Sequence, residues 1–232
     1  MTCDPAPAQI LTLGLDEAGR GACIGPLVMA ACVLSTEAAA RLLAEGLGDS
    51  KGFGSPRTGQ PLRAALAERI RVLAAWSAVR SVPAAEVDAR ARRGHLNVLE
   101  REVAQALVAE VPVPVQRTVL DGERLFAALA ERLPAARAVN RADASEPAVA
   151  AASILAKTER DRAYAALCAP LLPDLGPIRG EGYPNAATAR FIEAHLERFG
   201  TLPPETRRSW RWPPLMAHTS AADRGDDPEL FS

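Results

Sequence analysis

Apolar positions along the chain follow two rhythms. Short unbroken runs at 11–15 and 27–34 read as buried strands, and the tight glycine turn between them predicts an antiparallel pair. Helical spacing predicts helices over 36–44, with Ser35 as N-cap, and over 62–71, where Leu62, Leu66 and Ile70 share a face. A β-like stretch follows at 72–82. Pro83 then opens one long helix or two shorter ones to 110, with a break at Gly94. Further on, strands are expected at 117–120 and 136–139, and helices at 123–132, 146–167 (opened by Pro147) and 186–199. The stretch 46–61 reads as a glycine-punctuated loop, 170–184 as irregular, and 201–214 as proline- and arginine-rich coil. Strands alternating with helices argue for an α/β fold with a mixed central sheet flanked by helices. One domain over 1–214 is expected, its part beyond about 170 forming a helical cap, with a disordered tail over 215–232.

Composition narrows the class. The chain has 232 residues, 48% hydrophobic and 24% charged, which is ordinary for a soluble globular protein. No apolar run is long enough to cross a bilayer, and the first ten residues lack the basic and apolar regions of a secretory leader, so a cytoplasmic protein without membrane attachment is expected. Cys3, Cys23, Cys32 and Cys168 show no metal-binding spacing and read as small apolar fillers. His95, His195 and His218 are scattered and read as surface or packing residues. Net charge is −1, but unevenly spread: eight arginines fall between Arg57 and Arg93, and four acids lie beyond Ala217. This fits a nucleic-acid surface and fits solvated helix faces equally well. Of 27 basic residues only Lys51 and Lys157 are lysines, a selectivity that marks both as site candidates.

The chemistry gathers at predicted strand ends. The first strand ends in Asp16 and Glu17 and runs at once into Gly19-Arg20-Gly21. Glycine lets backbone approach a ligand closely, and the arginine can reach a phosphate or hydroxyl. Asp121 ends a later strand and Asp143 lies just past another. Should these acids converge, their like charges need compensation. Oxygen-only donors favour Mg²⁺ or Mn²⁺, and two such ions about 3.5–4 Å apart can drive phosphodiester hydrolysis.

These segments resemble ribonuclease HII, the type 2 ribonucleases H. The resemblance runs from about Leu11 to Trp212 through GLDEAGRG (14–21), DSK (49–51), LNVLERE (96–102), LDG (120–122), RAD (141–143), AAASILAKTERD (150–161), GEGYP (180–184) and RRSW (207–210). It implies the ribonuclease H-like fold. It also implies an endonuclease cutting the RNA strand of RNA–DNA hybrids, and cutting 5′ of single ribonucleotides in duplex DNA. Asp16, Glu17, Asp121 and Asp143 match the family's metal-site acids. Gly19, Arg20 and Gly21 match the turn that recognises the ribose 2′-hydroxyl, and Tyr183 matches the tyrosine that senses the junction sugar. Ser50, Lys51 and Asn97 match positions near the nucleic-acid backbone, and Ser153 and Lys157 lie in the helix motif beside the site. Ala22 stands where the family usually has proline, which would loosen the turn. The loop after Lys51 also departs from the family pattern. The sister family, ribonuclease HIII, carries an extra N-terminal domain for which ten residues leave no room. A hybrid-binding module that does not cut would lack one of the acids. A monomer is expected.

Overall fold

The computed structural model describes residues 10–48 and 56–224. In chain order its elements are β1 (Leu11–Ala18), β2 (Leu27–Ser35), α1 (Thr36–Ala44), α2 (Pro56–Leu73), β3 (Trp76–Val82), α3 (Ala84–Ala91), α4 (Leu96–Ala109), β4 (Arg117–Asp121), α5 (Glu123–Ala130), β5 (Ala136–Val139), α6 (Pro147–Cys168), α7 (Leu172–Leu175), α8 (Ala186–Phe199), α9 (Pro213–Met216) and α10 (Ala221–Arg224), with 3₁₀ turns at Ala142–Ala144 and Ala169–Leu171.

The strands form a five-stranded sheet in the order β3-β2-β1-β4-β5. β1 pairs in parallel with β4, and β4 with β5. β1 and β2 are neighbours joined by residues 19–26 alone, too few for a parallel crossover, so the sheet is mixed, as expected. Every residue of β2 but the last is buried, which is why it reads as one continuous apolar run. Its last residue, Ser35, accepts the Ala38 N–H at 3.1 Å and so starts α1, as its type predicts.

Two compact units make up the fold. The first holds the described residues of Met1–Asp16, Met29–Val79 and Ala104–Ala156; the second holds those of Glu17–Val28, Arg80–Val103 and Lys157–Ser232. In the first, the start of α6 lies directly on β1. A Cβ built at Gly14 would stand 2.2 Å from the Ala148 carbonyl carbon, so only glycine permits this approach. Val119, Ala142 and Val149 are buried together there. The second unit has its own core, in which Ile24, Leu27, Val87, Leu99, Phe191 and Trp210 pack together.

Three expectations shift. The helix expected from 62 begins at Pro56 and runs through Pro61, with Leu66 and Ile70 buried but Leu62 exposed. The strand expected from 72 begins at Trp76, because Val72 still belongs to the helix and is exposed. The chain beyond 214, expected to lack structure, carries short helices as far as 224: Leu215 is fully buried in the second unit's core and holds α9 there.

Candidate active site

In the first unit, parallel pairing brings two of the predicted acids to one end of the sheet. Leu15 of β1 is paired with Leu120 of β4, so Asp16 and Asp121 are the next residues on neighbouring strands. β5 is in register with β4 up to Val139 opposite Asp121. The chain then turns through Arg141, whose φ of 56° is left-handed, into the 3₁₀ turn that carries Asp143. The C-terminal ends of parallel strands are where α/β sheets place their sites, and all three acids come from that end. Asp16 is buried, while Asp121 and Asp143 are half-buried. One Asp121 oxygen, Oδ1, accepts the Ala142 N–H at 3.2 Å and is thereby tied to the turn bearing Asp143. Glu17 follows Asp16 along β1 and is half-buried. Among the described residues no three His, Cys, Asp or Glu side chains close into a metal-sized cluster.

In the second unit, Gly19-Arg20-Gly21 forms a turn held from several sides. Gly19 has a φ of 85° and sits so close to Arg160 and to the Pro26 carbonyl that a Cβ would collide with both. Its N–H donates to the Tyr183 hydroxyl at 3.1 Å, which joins two motifs 164 residues apart. The Arg160 guanidinium lies 4.4 Å over the Tyr183 ring, and its Nη2 donates to the Glu181 and Ile24 carbonyls. Gly182 approaches so closely that its carbonyl accepts both the Cys23 and Ile24 N–H groups. Arg207, fully buried, donates from Nη1 to the Arg20 carbonyl and from Nε to the Gly25 carbonyl, each at 3.0 Å. Trp210 Nε1 donates to the Gly21 carbonyl at 3.3 Å. Burial pulls the Arg207 pKa down to about 9, with repulsion from Arg160 adding, so it remains a cation at neutral pH. Arg20 is also shifted down by burial, while the Glu17 carboxylate opposes the shift.

A sequence model of the family described as ribonuclease HII matches residues 13–212. The chain belongs to that family. A ribonuclease HII of Rhodococcus opacus is 40% identical over 197 residues, covering 85% of this chain and 78% of the relative. The crystal structure of ribonuclease H2 from Pyrococcus horikoshii has the same fold at a TM-score of 0.73 and 28% identity, covering 90% of this chain and 98% of that one. A ribonuclease HII from Archaeoglobus fulgidus, solved in a complex with PCNA, is similar at a TM-score of 0.69 and 31% identity, over 88% and 95% of the two chains. As a ribonuclease HII, this protein is a metal-dependent endoribonuclease with ribonuclease H activity on RNA–DNA hybrids.

Of the other predicted residues of this ribonuclease HII, Asn97 lies on α4, and Ser153 and Lys157 lie on α6. Ser50 and Lys51 lie outside the described residues. Ser153 is buried in α6, and Lys157 is exposed on the same helix. Asn97, expected near a nucleic-acid backbone, is exposed on α4 and accepts from Arg20 Nη2 at 2.8 Å. Ala22, in place of the family's proline, keeps an N–H, which donates to the Gly19 carbonyl at 3.2 Å. Three arginines of the basic middle serve as ordinary helix-face charges, since Arg69 pairs with Glu45, Arg71 with Glu68 and Arg90 with Glu102. The sequence reading missed Glu100, Arg160 and Arg207. Each lies inside a quoted motif, but side-chain burial, which marks them out, has no signature in residue type.

Proposed function

We propose that this ribonuclease HII cuts 5′ of a ribonucleotide, including a single one embedded in duplex DNA, and leaves 3′-hydroxyl and 5′-phosphate ends. The observation that carries the reading is the Gly19 N–H to Tyr183 hydroxyl contact at 3.1 Å. The 2′-hydroxyl is what separates RNA from DNA at a given nucleotide, and it both donates and accepts. A glycine-flanked turn offers backbone groups without crowding. The Tyr183 oxygen, already accepting from Gly19, keeps its own proton to donate. A site that hydrogen-bonds a hydroxyl rejects the analogue lacking it by about 10⁴–10⁵.

Asp16, Glu17, Asp121 and Asp143 supply the metal ligands in this reading. Their chemistry fits: every donor is a carboxylate oxygen, and three come from the C-terminal end of parallel strands, which suits Mg²⁺ or Mn²⁺. Bound there, two such ions supply an activated water and stabilise the leaving oxygen. The chain's own part is placement. The Ala142 N–H fixes one Asp121 oxygen, and burial of Asp16 keeps its carboxylate in a weakly screened environment. Gly19, Arg20, Gly21 and Tyr183 hold the ribose and its phosphate. Ser50, Lys51, Asn97, Ser153 and Lys157 are assigned, on the family resemblance, to contacts with the nucleic-acid backbone or to support of the site. The cellular role is removal of ribonucleotides during DNA replication and repair, carried out by a monomer.

The test is a labelled DNA duplex holding one ribonucleotide, titrated with Mg²⁺ or Mn²⁺. A single nick 5′ to the ribonucleotide, with an all-DNA duplex untouched, is expected. Asp16→Asn and Asp121→Asn should each lower the rate by about 10³-fold, since metal-supplied stabilisation amounts to several kcal/mol. Full activity in either variant overturns the site, and tight binding without cutting makes the protein a hybrid-binding module.

A further inference from the structure

One side chain of the second unit has a cost that packing alone does not explain. Glu100, in the second turn of α4, is fully buried. Its Oε2 pairs with Arg20 Nη1, while its Oε1 has no hydrogen-bond partner among the described residues. A buried carboxylate satisfied on one side only is a poor way to stabilise a fold, and an apolar residue of similar volume would serve better. Asn97 stands three residues before Glu100 on α4, on the same face, and accepts from Arg20 Nη2 at 2.8 Å. The Arg20 side chain is still 36% exposed. One helix face therefore grips the partly exposed Arg20 side chain at two of its guanidinium nitrogens. A guanidinium carries five N–H donors, so these two contacts leave donors for a further partner.

We propose that Glu100 is a positioning residue that locks Arg20 in one orientation, ready for a phosphate of the ribonucleotide-bearing strand. The proposal rests on the ribonuclease HII reading of the Gly19-Arg20-Gly21 turn. An unheld arginine loses its rotamer freedom when it meets a phosphate, and holding it beforehand removes that loss. Asn97 then acts through Arg20 rather than on the nucleic acid, and the buried carboxylate keeps the grip electrostatically strong.

The experiment compares wild type, Arg20→Ala, Glu100→Gln and the double variant on a duplex holding one ribonucleotide, with KM and kcat measured separately and melting temperature as a control. Glu100→Gln is expected to raise KM about tenfold while kcat stays within about threefold. In the Arg20→Ala background it should add less than about twofold, because the two act as a unit. Arg20→Ala should also reduce the slope of log affinity against log salt by about one phosphate contact, and Glu100→Gln should leave nothing further to lose in the double variant. Asn97→Ala, at an exposed position, tests the same grip without disturbing the interior: a rise in KM of about threefold is expected, again absent once Arg20 is alanine. It decides the matter should Glu100→Gln fail to fold. Additive effects of Glu100 and Arg20, or a loss confined to kcat that follows melting temperature, overturn the assignment. A wild type that does not nick at the ribonucleotide sinks the reading of the turn itself, and the proposal with it.

Discussion

At the scale of single residues, the sequence shows which types are unusual but not which are irreplaceable. Gly14 and Gly21 look alike in GLDEAGRG. A Cβ at Gly21 would meet nothing within 4 Å, whereas one at Gly14 would be driven into the backbone of Ala148 and Val149. Gly14→Ala should therefore cost about 3 kcal/mol or more, since backbone of a packed helix cannot yield as a side-chain tip can. Urea unfolding would show it as a lower midpoint, and an unchanged midpoint would contradict the close packing of α6 on β1. The acids were legible because Asp and Glu at the ends of apolar runs are poor core residues. Arg207 and Glu100 were not, because a charged residue in coil or on an amphipathic helix reads as solvated until tertiary packing buries it.

At the scale of elements, starts with a local chemical signal were readable and those decided by packing were not. Ser35 capping α1, Pro147 opening α6 and the helix over Ala186–Phe199 follow from residue type and spacing. The early start of α2, in a stretch whose glycine and prolines argue for coil, had no such signal. α8 shows how an element can support a site. Asn185 caps it by accepting the Ala187 and Thr188 N–H groups at 3.0 Å, and its Nδ2 donates to the Gly180 carbonyl at 2.9 Å. The cap thus ties the helix to the loop that carries Tyr183. Asn185→Ala should cost about 1 kcal/mol for the lost cap, seen as a fall in melting temperature of about 2–4 °C by calorimetry. An unaltered melting temperature would mean that the cap contributes nothing.

At the scale of the whole molecule, the cysteine reading leads to a pH dependence. Cys23 and Cys32 are buried free thiols, and loss of hydration on burial pushes each pKa up to about 12 from 9.0. Between those values the folded chain keeps protons that the unfolded chain releases. Stability conferred by these thiols is thus fully present below about pH 9 and falls as pH rises towards 12. Chemical unfolding at stepwise higher pH should give falling midpoints above about pH 9, and Cys32→Ala should flatten the decline. A flat profile in the parent protein would place these thiols in water.

The sequence by itself determined the alternation of strands and helices, the acids at the strand ends and the motif order that carries the ribonuclease HII resemblance. All of these depend on residue type and short spacing, which local chemistry reads directly. Only the tertiary structure decided that Asp16 and Asp121 are neighbours across paired parallel strands. It likewise decided that Gly19 meets Tyr183, and that Arg20 is gripped by Asn97 and Glu100. Those partners lie far apart along the chain. Their meeting depends on burial and on close approach of backbones, which follow from how the elements pack.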